Sequence, residues 1–92
     1  MKTIEDNKLI AEFMGEIQIG DFFAIKQKSY TPDKLKYGTS WDWLMPVVEK
    51  CKGNTHDQRL YDNIEKGLRT LDLVRTYRNV IDFIENYNRV NK

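Results

Sequence analysis

The stretch YGTSWDWLMPVVEK, residues 37–50, places two tryptophans around one aspartate in the middle of the chain. When residues 41–51 are wound as an α-helix, their apolar side chains fall on one arc of roughly 200°. Pro46 lies on the polar side, where its missing N–H and the resulting bend affect a solvated face. The apolar arc consists of Trp41, Trp43, Leu44, Met45, Val47, Val48 and Cys51. The stretch therefore predicts a central helix that is covered on two sides or whose edge meets a partner.

The start of this helix leaves two interpretations of Trp43 open. The width of the arc favours a Trp43 that packs in the core, and the alternative is a Trp43 exposed at an interface. Thr39 is the expected N-cap, with Asp42 three residues later in a short-armed variant of the capping box. Asp42 also lies near the positive end of the helix dipole. A structural role is therefore favoured for Asp42.

The flanking segments predict the remaining elements. Apolar residues at helical spacing indicate a first helix at about 4–14, a third at about 56–68 and a fourth after Asp72. N-caps are expected at Thr3, Thr39, Thr55 and Asp72. Between the first two helices, EIQIGDFFAIKQ (16–27) is typical of a short strand pair. The predicted fold class is therefore α+β and predominantly helical, with about four helices and a short strand pair after helix one.

Length and composition predict one small domain. A chain of 92 residues has room for a single compact domain over residues 1–92. The first residues carry acids and no apolar segment typical of a signal peptide, and nowhere do 18 apolar residues run together. The single cysteine, Cys51, cannot form an internal disulfide, which fits a reducing compartment. We therefore expect a cytoplasmic protein without a membrane segment.

The residue inventory offers little for covalent or metal chemistry. One histidine and one cysteine are too few for the usual zinc site, and no acidic loop has calcium-binding spacing. The glycine-rich nucleotide-binding motifs are absent from the sequence. Because Cys51 lies on the apolar arc and His56 at a predicted helix start, a buried thiol and a surface histidine are favoured over a catalytic dyad. We expect a protein that is not an enzyme and needs no cofactor, metal or small-molecule substrate.

The basic part of the chain supplies the candidate binding residues. Residues 26–52 hold six lysines and three acids. Their first part, KQKSYTPDKLKYG (26–38), shows neither helical nor strand periodicity and predicts an exposed basic loop. Lysines interleaved with tyrosines fit a contact with RNA phosphates and unpaired bases, although a loop that only keeps the chain soluble is the simpler interpretation. The candidates are Lys26, Lys28, Tyr30, Lys34, Lys36 and Tyr37, together with Trp43.

Three blocks of the chain resemble a known family. NKLIAEFMG (7–15), TSWDWLMPVVEK (39–50) and V..FI..YN (80–88) are similar to blocks of small proteins encoded by phages, prophages and mobile elements of Bacteroidota bacteria. The chain departs from that pattern at Gly38, where the family often has histidine, and at Asn86, where tryptophan is common. The region between the second and last helices carries strands in many members but is predicted here as helix. The resemblance carries over no catalytic residue.

The resemblance implies a role in phage biology, where small binding proteins disable host machinery such as RNA-guided defence nucleases. The leading hypothesis is an anti-CRISPR-like inhibitor that binds such a nuclease or its guide RNA stoichiometrically in the bacterial host cell. The segment 26–38 would make this contact, with Trp43 or the acidic N-terminal segment adding protein contacts. The alternatives are a nucleic-acid-binding or regulatory adaptor in phage replication or transcription, and a structural accessory protein. The oligomeric state stays open.

Overall fold

A computed structural model describes residues 2–20, 22–25, 28–54 and 57–90. Within them the α+β, mostly helical fold class is confirmed, and the predicted strand pair is a sheet of three strands. The elements in chain order are α1 (Lys2–Phe13), β1 (Ile17–Ile19), β2 (Phe22–Ile25), β3 (Lys28–Tyr30), a 3-10 turn (Pro32–Lys34), α2 (Trp41–Gly53), α3 (Gln58–Arg69) and α4 (Leu73–Val90).

The sheet has the order β1-β2-β3 with both pairs antiparallel. Gly20, directly after β1, has φ of 61°, a value that glycine adopts without steric cost. Side chains alternate between the two faces of a strand, and the register separates two sets of residues. Phe23 and Tyr30 face the core, with Phe23 fully buried. The opposite face carries Ile17, Ile19 and Phe22.

The prediction of an exposed basic loop over residues 26–38 is wrong for the part that the structure describes. Residues 28–30 form β3, residues 32–34 form the 3-10 turn, and Leu35 and Tyr37 are buried. Burial therefore alternates along Leu35, Lys36 and Tyr37, as in an extended segment lying on a core. Three residues are too few for that alternation to stand out in the sequence.

The side chain of Asn7, in α1, holds this segment in place through hydrogen bonds. Its side-chain Nδ2 donates hydrogen bonds to the carbonyl oxygens of Pro32 at 3.1 Å and Leu35 at 3.2 Å. Its Oδ1 accepts a hydrogen bond of 2.9 Å from the Tyr77 hydroxyl of α4. Burial raises the pKa of Tyr77 to about 12, with Asp6 adding to the rise, so the phenol keeps the proton that it donates. Asn7 is 2% exposed and joins α1, the turn segment and α4.

The helices lie close to where the sequence predicts them, but the start of α2 differs. Ser40, not Thr39, is the N-cap of α2, and it makes no side-chain cap bond. The reason is a turn before the helix, in which the amides of Thr39 and Ser40 both donate to the Lys36 carbonyl. Pro46 is exposed as predicted.

Of the other three predicted caps, one is wrong, one lies outside the described residues and one is confirmed. Thr3 lies inside α1, which begins at Lys2, so it is not the cap. Thr55 lies outside the described residues, and Asp57 is the N-cap of α3, its Oδ1 accepting from the Arg59 amide at 3.0 Å. Asp72 caps α4 as predicted, since its Oδ1 accepts from the Arg75 amide at 3.0 Å.

Asn7→Ala should destabilise the fold by roughly 2–4 kcal/mol, because it removes three hydrogen bonds and leaves buried polar atoms without partners. Chemical denaturation followed by circular dichroism measures the change. Asn88→Ala, at an exposed residue of α4, is the matched control and should change stability by less than about 0.5 kcal/mol. Equal effects of the two substitutions would contradict the role given to Asn7.

Candidate functional site

The structure brings together three of the candidate binding residues. Tyr30 ends β3, Tyr37 follows the 3-10 turn, and Trp43 lies in the first turn of α2. The Trp43 ring centroid is 5.2 Å from that of Tyr30 and 5.3 Å from that of Tyr37. Both contacts are edge-to-face, with interplanar angles of 89° and 83°, the geometry that the ring quadrupoles favour. We call Tyr30, Tyr37 and Trp43 the aromatic cluster.

Burial within the aromatic cluster is uneven. Tyr37 is only 4% exposed, whereas Tyr30 and Trp43 are half-buried and pack against the core. The packing of Trp43 agrees with the interpretation that the width of the α2 arc favoured. An interface role for its remaining exposed surface stays a prediction.

The aromatic cluster lines a pocket of about 240 Å³ between the sheet, the end of α1 and the start of α2. Two carboxylates, Glu16 and Asp42, lie in the same lining. Apolar contact surface is added by Met14, Ile25 and Pro46. We call this cavity the aromatic pocket.

The charged groups in the described lining of the aromatic pocket are both carboxylates. Burial raises the pKa of the Tyr37 hydroxyl to about 12, and the Glu16 carboxylate adds to the rise because it opposes a second negative charge nearby. Among the described residues that line the pocket, none is a lysine, arginine or histidine. The pocket therefore presents carboxylates and aromatic rings without a basic partner in its described lining.

Two of the lysine candidates, Lys34 and Lys36, lie away from the aromatic pocket. Lys34 and Lys36 line a different and wider cavity, of about 550 Å³, together with Arg78. Asp6 and Asp33 line it too, so its charge is mixed rather than purely basic. Lys28 is exposed on β3, where it pairs with Ile25 of the aromatic pocket and shares a face of the sheet with Tyr30. Lys26 lies outside the described residues. Lys34 and Lys36 therefore do not form one basic surface with the aromatic cluster.

A second surface feature lies on the other face of the sheet. Ile17 and Ile19 are each 66% exposed and Phe22 is 48% exposed, although all three are large apolar side chains. We call these three residues the apolar sheet face. β1 is also an edge strand, and its sequence IQI contains neither a charged residue nor a proline to discourage pairing. Exposed apolar side chains that lie together in this way make the face a candidate interaction surface.

The remaining sequence candidates have no comparable site. Burial raises the pKa of Cys51 to about 12, so its thiol stays protonated at neutral pH, as predicted for a buried cysteine. His56 lies outside the described residues. Over the ranges that the structure describes, three or more histidine, cysteine or acidic side chains do not gather as metal ligands. The described helices include none with the length and apolar character needed to cross a bilayer.

Sequence reasoning missed Glu16 altogether and gave Asp42 only a helix-capping role. These residues lie 26 positions apart in the chain (42 − 16), and both line the aromatic pocket. The spacing of residues within one helix or strand does not predict that two residues so far apart in the chain line one pocket. Comparisons with protein-family models, curated proteins and solved structures found no match to this chain.

The Tyr37 environment predicts a loss of stability at high pH. Its folded pKa of about 12 lies above the ordinary value of 10, so the stabilising contribution is fully present below pH 10 and is lost as pH rises toward 12. At pH 11 the loss should be roughly 1 kcal/mol relative to pH 8. Denaturation at both pH values should show a smaller loss for Tyr37→Phe than for wild type.

The contribution of Glu16 has its own control. Glu16→Gln should lower the pKa of Tyr37, measured as the difference between the tyrosinate absorbance titrations with and without Tyr37→Phe. Glu12→Gln, at an exposed residue of α1 outside the aromatic pocket, should leave it unchanged. An unchanged titration in Glu16→Gln would show that burial alone causes the rise.

Proposed function

We propose that this chain is a stoichiometric binding protein that inhibits a host RNA-guided defence nuclease, in the manner of an anti-CRISPR protein. The choice of target class rests on the resemblance to phage and prophage proteins. The binding role is supported by one observation, the apolar sheet face of Ile17, Ile19 and Phe22. Its mechanism is occupancy, in which the bound chain covers a surface that the nuclease needs.

The apolar sheet face supports this role through its energetics. Full burial of one isoleucine or phenylalanine side chain contributes roughly 1.5–3 kcal/mol. Because the three side chains are between about half and two-thirds exposed, covering them would contribute on the order of 3–5 kcal/mol. That amount is too small for tight binding alone, so polar contacts around the face complete the interface.

The same observation favours the protein surface of the nuclease over its guide RNA. Aliphatic side chains gain most by packing against an apolar protein surface, whereas single-stranded RNA is bound by stacking aromatics and clustered cations. Tyr37 is 4% exposed and offers no free ring face for a base. Lys34 and Lys36 share their cavity with two acids. The exposed edge of β1 can also accept a strand of the partner.

The first test compares two doubly substituted chains in a Bacteroidota host whose active RNA-guided nuclease attacks a transformed plasmid. Ile17→Lys/Ile19→Lys places two charges in the apolar sheet face. Val74→Lys/Val90→Lys places two charges at similarly exposed apolar residues of α4. Wild type and the α4 variant should restore plasmid transformation to the level of a nuclease-free host, and the sheet-face variant should not. Full inhibition by the sheet-face variant would contradict the proposed contact.

A purified nuclease complex separates protein from RNA recognition. Inhibition should saturate near one chain per nuclease and survive the combined change Lys26→Glu, Lys28→Glu, Lys34→Glu and Lys36→Glu. Loss of inhibition in that variant would move the contact to the lysines and the guide RNA. Salt-dependent binding of free nucleic acid without inhibition would instead indicate an adaptor, and co-purification with phage particles would indicate a structural role.

A further inference from the structure

The aromatic pocket is a second site that the proposed inhibitory contact does not use. It lies on the face of the sheet that carries Tyr30, whereas Ile17 and Ile19 lie on the other face. We propose that the aromatic pocket binds an organic cation, namely an alkylammonium or guanidinium group. This assignment goes beyond the inhibitory function and does not depend on it.

The arrangement of the rings is the first argument. The Trp43 ring is nearly perpendicular to both tyrosine rings, at 89° and 83°. The half-buried rings of Tyr30 and Trp43 therefore stand as two perpendicular walls, and the buried Tyr37 ring supports Trp43 through a second edge-to-face contact. The faces of aromatic rings carry partial negative charge, so a ring face that lines a cavity attracts a cation placed over it.

The two carboxylates are the second argument. Glu16 is half-buried and Asp42 is exposed, and both line the same cavity as the rings. The influence of Glu16 on Tyr37 shows that its charge reaches the aromatic wall. A cation in the pocket would meet the rings and the carboxylates together, and a partly desolvated carboxylate gains most from a partner of opposite charge.

The size and the apolar part of the lining determine which cation fits. A volume of about 240 Å³ is smaller than most sites for drug-sized ligands and suits a single head group with a short stem. Met14, Ile25 and Pro46 provide apolar surface for methyl or methylene groups. An alkylated ammonium or a guanidinium, with its weak hydration and its apolar periphery, matches this mixed lining.

Other ligand classes fit less well. An anion would be repelled by Glu16 and Asp42, and a neutral apolar molecule would desolvate them without compensation. A hard metal ion needs six or more oxygen ligands, whereas the described lining offers two carboxylates beside aromatic and apolar groups. The described lining therefore fits an organic cation best.

Near the pocket, a lysine of the chain already makes a cation–π contact of the proposed kind. The ammonium of Lys50 lies 5.0 Å from the centroid of the Phe13 ring and donates a hydrogen bond to the Phe13 carbonyl. This cation belongs to the chain and is held in place by α1. The aromatic pocket has the rings and the charge for a similar contact, but no basic side chain in its described lining supplies the cation.

The test titrates the whole chain with choline and with 3,3-dimethylbutanol, which has the same shape without the charge. Binding is followed by the indole N–H resonance of Trp43 in two-dimensional NMR, assigned by comparison with Trp41→Phe. Choline should shift this resonance in a saturable way and bind at least about tenfold more tightly than the neutral alcohol. Sodium chloride at matched concentration should leave the resonance in place.

Two isosteric variants check that the pocket is the site. Glu16→Gln and Asp42→Asn keep the shape of the lining and should each weaken choline binding severalfold, whereas Glu12→Gln should not change it. Thermal unfolding confirms that each variant is folded. Equal binding of choline and the neutral alcohol, or no saturable shift with either, would overturn the proposal.

The source of the cation is distinguished by further titrations. Short neutral-ended peptides carrying lysine, trimethyl-lysine or arginine represent a partner's side chain, and choline represents a free small molecule. Tighter binding of a peptide than of choline supports a protein side chain as the ligand. Tighter binding of choline supports a small organic cation. If none of the probes binds more tightly to wild type than to Glu16→Gln, the pocket does not recognise cations.

Discussion

The side chain of Asn7 is the constraint on which the rest of the structure depends. A buried amide must satisfy two donors and an acceptor, and Asn7 does so with the carbonyls of Pro32 and Leu35 and the hydroxyl of Tyr77. These bonds hold an aperiodic segment against α1 and α4. Because that segment leads directly into Tyr37, they also determine where the aromatic cluster forms.

The parts of the fold that sequence predicted are those decided within one element. The apolar arc of α2, apart from the exposed Met45, and the Asp72 cap of α4 depend on residues a few positions apart, so helical spacing and cap chemistry identify them. The start of α2 was missed by one residue because the Lys36 carbonyl takes the amides of both Thr39 and Ser40 in a turn. β3 was missed because three residues, one of them a lysine and one a serine, show no clear alternation.

The sequence identified three residues of the candidate site but not the contacts between them. Tyr30, Tyr37 and Trp43 were chosen as binding residues from composition, and the structure brings them into contact. The predicted setting of Tyr30 and Tyr37 was a loop, whereas Tyr30 ends β3 and Tyr37 is buried two residues after Leu35, whose carbonyl accepts from Asn7. Glu16 had no distinguishing pattern at all, since its contribution arises from packing between elements that are distant in sequence. Long-range packing is the information that a single sequence does not display.

The hydrogen bond between Asn7 and Tyr77 also has a consequence for the order of folding. It joins residues 70 positions apart and closes a loop that contains the whole sheet, the turn segment, α2 and α3. The entropy of closing such a loop must be overcome before its contacts stabilise the chain. A chain emerging from a ribosome lacks this bond until α4 is made. The aromatic cluster is synthesised more than 30 residues before Tyr77 (77 − 43 = 34). The Asn7 side chain that positions it thus receives its last hydrogen bond only when α4 has formed.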